Sequence, residues 1–130
     1  MMFRKILAFS FLAVVLFSSV LTAFAASGTY ESTYSLTGGL NSRTFDASAT
    51  PKFVVTTYPS KGLKGTTMTL YLKKQGFFGD SDIDSGTVSS TEVDSVTLYK
   101  SGSGSGKYYI RFRNFTGILF EGKVKIDYSW

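Results

Sequence analysis

The sequence predicts an all-β protein: a single antiparallel β-sandwich or jelly-roll-like domain that follows an N-terminal signal peptide. Apolar and polar residues alternate with period two in several runs. Glycine-rich segments separate these runs, and no segment after residue 25 keeps a helical period over ten residues. The pattern indicates roughly six to eight strands, with a β-barrel as the less favoured architecture.

The first half of the domain contains a strand in which Tyr30, Tyr34 and Leu36 share one face. A later β-branched run ends at Pro59, and after a glycine-rich turn a second run alternates cleanly, so we expect these two runs to form a hairpin with a long loop. The predicted strands of this half are residues 29–37, 43–47, 52–58 and 66–73.

The second half contains a predicted loop at residues 75–86, which is rich in glycine and aspartate. A Gly-Ser segment at 101–106 is expected to be a hairpin loop, because it is too short to separate domains. The predicted strands of this half are residues 87–99, 107–115 and 118–130.

The N-terminus has the features of a cleavable secretory signal peptide. Arg4 and Lys5 precede an apolar stretch at residues 6–17, and Ala-Phe-Ala at 23–25 supplies small residues at a cleavage site. Cleavage after Ala25 leaves residues 26–130 as one secreted, extracellular domain. The alternative is an uncleaved membrane anchor, since the apolar segment approaches the ~20 residues that span a bilayer.

Composition restricts the chemistry of this domain. The chain contains no histidine and no cysteine, so Ser-His-Asp and Cys-His catalysis and the usual zinc sites are excluded. Two of the 14 basic residues lie before residue 26, so the domain carries 12 basic and 9 acidic residues, a net charge of +3. The sequence contains no arginine-rich patch, so we do not expect nucleic-acid binding. We also predict that the protein is not an enzyme.

Residues 105–117, SGKYYIRFRNFTG, form a motif with a local resemblance. The stretch resembles the penultimate strand of bacterial pre-peptidase C-terminal domains, which read Gly-x-Tyr-Tyr-Ile-Arg before a last alternating strand. The resemblance extends over about 25 residues to the end of the chain at 130 and implies a secreted jelly-roll sandwich. It assigns no functional residue. The matching residues are Gly106, Tyr108, Tyr109, Ile110 and Arg111.

Asp80, Asp82 and Asp84 alternate like the first ligands of a calcium loop, and calcium is the one candidate cofactor. An EF-hand is excluded, because its glycine and glutamate positions hold Ser85 and Thr91. A looser calcium site in a β-loop and a solvated acidic loop are the two interpretations, and the second is favoured.

Phe77 and Phe78 lie between two glycines in the same predicted loop. Adjacent aromatic residues in a loop can contact a membrane or a ligand. The favoured alternative is that one ring closes the end of the sandwich.

Tyr109, Arg111 and Arg113 share one face of a predicted strand. If that face lies beside Lys123 and Lys125, the five residues form a basic, aromatic surface suited to acidic wall polymers or polysaccharide. An ordinary solvent-facing strand is the favoured alternative.

These observations predict a secreted, non-catalytic binding or surface-interaction protein. Its expected partners are a cell-wall polymer, a polysaccharide or an extracellular protein, with membrane contact only through the signal peptide. The alternative function is a secreted antimicrobial, bacteriocin-like factor or an inhibitor of a hydrolase.

Overall fold

The computed structural model describes residues 26–130, and the predicted signal peptide at residues 1–25 lies outside the described residues. This part of the chain forms nine β-strands and no helix, so no described helix is long and apolar enough to cross a membrane. The strands are β1 (Ser27–Leu36), β2 (Gly39–Asn41), β3 (Phe45–Ala47), β4 (Lys52–Lys61), β5 (Thr67–Lys74), β6 (Ser81–Ser89), β7 (Asp94–Tyr99), β8 (Gly106–Arg113) and β9 (Phe120–Ser129).

The strands form two antiparallel sheets. The four-stranded sheet has the order β1-β9-β4-β7, and the five-stranded sheet has the order β2-β8-β5-β6 with β3 also paired to β8. If β2 and β3 are counted as one interrupted edge strand, this is the eight-strand order of a jelly roll. The all-β, antiparallel fold class predicted from the sequence is therefore confirmed.

The core lies between the two sheets and is rich in aromatic rings. Alternation places one face of each long strand inside: in β5, for example, Met68, Leu70 and Leu72 are buried while the residues between them are half-buried or more exposed. The buried aromatic side chains are Tyr34, Phe45, Phe53, Tyr108, Phe112 and Phe120. Because the chain has no cysteine, this packing takes the place that disulfides hold in many small secreted domains.

Two predicted hairpins are wrong for the same reason. The runs at 52–58 and 66–73 became β4 and β5, which lie in different sheets. The Gly-Ser connector likewise joins β7 of the four-stranded sheet to β8 of the five-stranded sheet. In both places the chain crosses over the edge of the sandwich, a connection that local alternation does not distinguish from a hairpin.

The predicted loop at 75–86 is also wrong over its second half. β6 begins at Ser81 and pairs with β5 along its length, with a register shift between Leu72 and Lys73. Its aspartates, serines and glycine have low strand propensity, so the pairing with β5 decides its conformation. The predicted strand at 87–99 is interrupted by a turn, because β6 ends at Ser89 and β7 starts at Asp94.

Candidate binding surface

Tyr109, Arg111 and Arg113 occupy alternate positions of β8 and are half-buried. Their neighbours Tyr108, Ile110 and Phe112 are buried in the core. Since successive side chains of a strand point to opposite faces, the first three project from the outer face of the five-stranded sheet. The sequence prediction that they share one face is confirmed.

The neighbouring strand β5 extends this surface. In the antiparallel register, Tyr71 lies opposite Arg111 and Lys73 lies opposite Tyr109. Directly opposed residues of an antiparallel pair have Cβ atoms about 5 Å apart, so their side chains are neighbours on the same face. We call this set the basic-aromatic face; it consists of Tyr71, Lys73, Tyr109, Arg111 and Arg113.

The edge strand β2 positions the two arginines. Arg111 donates a hydrogen bond from Nη1 to Oδ1 of Asn41 at 3.0 Å. A Cβ atom at Gly39 would lie 2.5 Å from Nη2 of Arg111 and 3.2 Å from Cδ of Arg113, so glycine leaves the space that both side chains occupy. The side chains of Arg111 and Arg113 therefore pass close to β2.

The charges of this face are only partly compensated. Lys73 forms an ion pair with Asp82 at 2.6 Å, and the hydroxyl of Tyr109 donates to Asp80 at 2.5 Å. That hydrogen bond, together with burial and the carboxylate charge, raises the pKa of Tyr109. Within residues 26–130, no carboxylate forms an ion pair with Arg111 or Arg113.

The guanidinium of Arg113 instead lies over an aromatic ring. Its Cζ atom is 4.7 Å from the ring centroid of Phe115, which is within the range of a cation–π contact. Its buried Nε has no hydrogen-bond partner among the described residues. The guanidinium of this arginine thus lies next to an exposed aromatic ring.

Lys123 and Lys125 do not join this surface, and the predicted combination with β8 is wrong. Both lie on β9, which belongs to the four-stranded sheet on the other side of the sandwich. There, Lys125 lies opposite Glu31 in the register and 3.9 Å from Asp127. The two lysines line a shallow depression of about 360 Å³ together with Glu31, so its lining carries one positive charge in excess.

The three aspartates have separate partners. Asp80 accepts from Tyr109, Asp82 pairs with Lys73, and one carboxylate oxygen of Asp84 accepts from the backbone N–H of Tyr99 at 2.9 Å. Among residues 26–130, no group of three or more acidic side chains could hold a metal ion. The three carboxylates therefore do not form one group, and the calcium site stays a prediction.

Phe77 and Phe78 project into solvent, so the favoured interpretation that one ring closes the end of the sandwich is wrong. Their exposed fractions are 94% and 97%, and the two rings pack edge to face, with ring centroids 4.7 Å apart at 86°. Burial would have required the loop to fold back over the core. Instead, the loop that joins β5 to β6 leaves both rings in solvent.

Sequence reasoning missed four contributors to the basic-aromatic face and its support: Gly39, Asn41, Tyr71 and Lys73. The alternation in residues 66–73 already placed Tyr71 and Lys73 on the polar face of their strand. What was missing was the pairing of β5 with β8, which joins strands about 40 residues apart in sequence. No local signal marks Gly39 or Asn41.

The sequence matches no family model and no curated protein. Solved structures with a similar fold include PirA and the Yersinia pseudotuberculosis-derived mitogen. PirA is 12% identical with a TM-score of 0.53, covering 77% of this chain and 92% of that chain. The Yersinia pseudotuberculosis-derived mitogen is 13% identical with a TM-score of 0.52, covering 81% of this chain and 86% of that chain.

At this level of identity the likeness shows the fold alone. It agrees with the jelly-roll strand order and assigns no site residue. Neither structure is a pre-peptidase C-terminal domain, so the resemblance at the end of the chain stays a prediction.

Proposed function

We propose that residues 26–130 form a secreted, non-catalytic binding protein whose basic-aromatic face holds an anionic polymer of a cell surface. The observation that carries the proposal is the pairing of Tyr71 with Arg111 on an open sheet face. A second arginine, Arg113, lies beside them and has no carboxylate ion-pair partner within residues 26–130.

The chemistry of these side chains fits an acidic polysaccharide or a phosphate-containing wall polymer. Guanidinium groups bind carboxylate and phosphate through two parallel hydrogen bonds, which a lysine cannot reproduce. The apolar faces of tyrosine rings can pack against the flat faces of sugar rings, while their hydroxyl groups remain solvated. A flat face of alternating rings and cations therefore suits a repeating chain better than a small molecule.

The same features support binding over catalysis. The chain has no histidine or cysteine to serve as a base or nucleophile. Enzyme sites usually enclose most of a substrate, whereas the basic-aromatic face is an open sheet surface.

An effector that acts on another cell or on a hydrolase is the second candidate. The observation that favours it is the fold likeness to a protein described as a mitogen. This candidate also needs a contact surface and no catalytic residue, and it differs from the first in its target.

Cosedimentation with insoluble cell wall and with an acidic polysaccharide gel tests the proposal. The variant Arg111→Gln/Arg113→Gln removes two positive charges from the basic-aromatic face, and Lys123→Gln/Lys125→Gln removes two from the opposite sheet. We expect the arginine variant to bind at least about tenfold more weakly, because two charge-assisted hydrogen-bonding groups are lost. The lysine variant should stay within about twofold of the unmodified protein.

Equal losses in both variants would show attraction by net charge alone and would contradict the proposal. Absence of binding by the unmodified protein, together with killing of neighbouring bacteria or inhibition of a hydrolase, would favour the effector. A third variant, Tyr71→Ala, should weaken binding without changing charge, which separates stacking from electrostatic attraction.

A further inference from the structure

The β5–β6 hairpin ends in an apolar tip. Residues 75–80 connect the two strands, and the side chains of Phe77 and Phe78 are almost fully exposed at its outermost point. Large apolar side chains grouped in water at one place indicate a contact surface, whereas single exposed ones are ordinary. We call these two residues the Phe tip.

The hairpin holds the Phe tip in a fixed position. The backbone N–H of Gln75 donates to the carbonyl of Lys107 at 2.9 Å, and Nζ of Lys74 donates to the carbonyl of Ser103 at 2.6 Å. The hydrogen bond between Tyr109 and Asp80 attaches the chain to β8 just before β6 begins. The base is thus fastened to β8 and to the Gly-Ser connector while the tip stands clear of both sheets.

Two glycines shape the turn itself. Gly79 has a φ of 135°, a conformation that other residues rarely adopt. A Cβ atom at Gly76 would lie 2.5 Å from the carbonyl oxygen of Gly79. The backbone N–H of Gly79 donates to the carbonyl of Gly76, closing the turn behind the two rings.

Several lysines lie at the end of the sandwich that carries the tip. β4 begins at this end, β5 and β7 end there, and β8 begins there, as the registers show. Within residues 26–130, three of these lysines have no carboxylate ion-pair partner: Lys52, Lys74 and Lys100. Lys73 and Lys107 are paired with Asp82 and Asp46, and the nearby Asp80 and Asp84 accept hydrogen bonds from Tyr109 and from the backbone N–H of Tyr99.

We propose that the Phe tip inserts into the interface of an anionic phospholipid bilayer. The two rings stand on a convex point, which matches a deformable lipid surface better than a preformed protein pocket. The lysines around the base match anionic headgroups, and their long side chains can reach upward to them as the rings enter.

The opposite end of the sandwich supplies a matched control. Phe115 and Ile118 lie in the β8–β9 loop and are 64% and 49% exposed. The guanidinium of Arg113 covers part of Phe115, and the side-chain amide of Asn114 donates to the carbonyl of Ile118 at 2.5 Å. This loop therefore offers similar apolar residues in a less protruding arrangement.

The first experiment measures cosedimentation of residues 26–130 with vesicles. This segment contains both sheets and the whole described core, and it lacks the apolar N-terminal stretch that would itself bind lipid. Vesicles of phosphatidylcholine with phosphatidylglycerol are compared with phosphatidylcholine alone. We expect stronger binding to the anionic vesicles and a loss of at least about tenfold in Phe77→Ala/Phe78→Ala. Phe115→Ala/Ile118→Ala should bind like the unmodified domain.

The second experiment places a reporter at the tip. In a Trp130→Phe background, Phe77→Trp leaves one tryptophan, because the chain has no other. Its emission should shift to shorter wavelength on anionic vesicles and be quenched by brominated lipids. Vesicle binding without this shift would place the contact elsewhere and overturn the proposal.

Failure of the unmodified domain to bind anionic vesicles would also overturn it, whether or not a protein proves to bind the tip. So would an equal loss in the variants at both ends. The proposal is independent of the basic-aromatic face: Phe77→Ala/Phe78→Ala should bind wall polymer normally, and its failure there would count against a separate role for the tip.

Discussion

Replacement of Phe45 by alanine tests whether the aromatic core takes the place of disulfides in this domain. Phe45 is 1% exposed, and its ring centroid lies 5.2 Å from that of Phe53, 5.1 Å from that of Tyr128 and 5.9 Å from that of Tyr30. The guanidinium carbon of Arg43 lies 4.5 Å from the same ring. One side chain thus joins β3 to aromatic rings from one outer strand, β1, and from both central strands, β9 and β4, of the four-stranded sheet.

The expected loss follows from these contacts. Truncation of a buried phenylalanine to alanine costs about 3–5 kcal/mol, and edge-to-face partners add about 0.5–1.5 kcal/mol per pair beyond area burial. We expect about 4–5 kcal/mol for Phe45→Ala. Domains of this size are stable by about 5–15 kcal/mol in total, so this variant should be marginally folded. Phe45→Leu keeps most of the apolar volume and should lose about 1–2 kcal/mol.

Urea unfolding followed by circular dichroism and by Trp130 fluorescence gives the free energy of unfolding. Trp130 stacks on Tyr128 at 5.1 Å, so its emission reports on the same cluster. Phe77→Ala is the control and should change stability by less than about 0.5 kcal/mol, because the side chain is exposed. A loss below about 1.5 kcal/mol in Phe45→Ala would refute the reasoning.

Two further predictions concern the space beside Tyr34. A Cβ atom at Gly122 would lie 2.5 Å from the carbonyl oxygen of Tyr58 and 2.6 Å from the hydroxyl of Tyr34, so Gly122→Ala should cost about 1–3 kcal/mol in urea unfolding, whereas Gly38→Ala, in open space, should change little. Burial raises the pKa of Tyr34 from 10.0 to about 12. The buried phenol therefore stabilises the fold fully below pH 10, and up to about 3 kcal/mol is lost between pH 10 and 12. Tyr34→Phe should lose less stability than the unmodified domain between pH 10 and 12. Equal losses in the two proteins would contradict the assignment of this pH dependence to Tyr34.

The strands that the sequence predicted best are those with strict alternation. In β1 and β5, the residues expected to share a face, such as Tyr34 and Leu36 or Met68 and Leu70, are buried together. Period-two alternation indicates directly which face of a strand packs against the core, so this prediction does not require knowledge of the paired strands. β6 was missed because its composition is that of a loop and its pairing partner stabilises it.

The topology and the site depend on contacts that alternation does not encode. Alternation does not show which of the two sheets a strand joins. It therefore left open a surface shared by Arg111 and Lys123, whose strands lie in different sheets. The exposure of Phe77 likewise depends on the direction of the β5–β6 hairpin. In sequence, two phenylalanines flanked by glycines are equally compatible with rings buried at the end of the sandwich and with rings that project into solvent.

The most direct test of the central claim is a solution NMR titration of residues 26–130 with a short acidic oligosaccharide. Amide and side-chain signals of Tyr71, Tyr109, Arg111 and Arg113 should shift together and saturate, with little change on the four-stranded sheet. Shifts centred on β9, or none at all while the intact polymer still binds, would contradict the assignment of the basic-aromatic face as the binding surface.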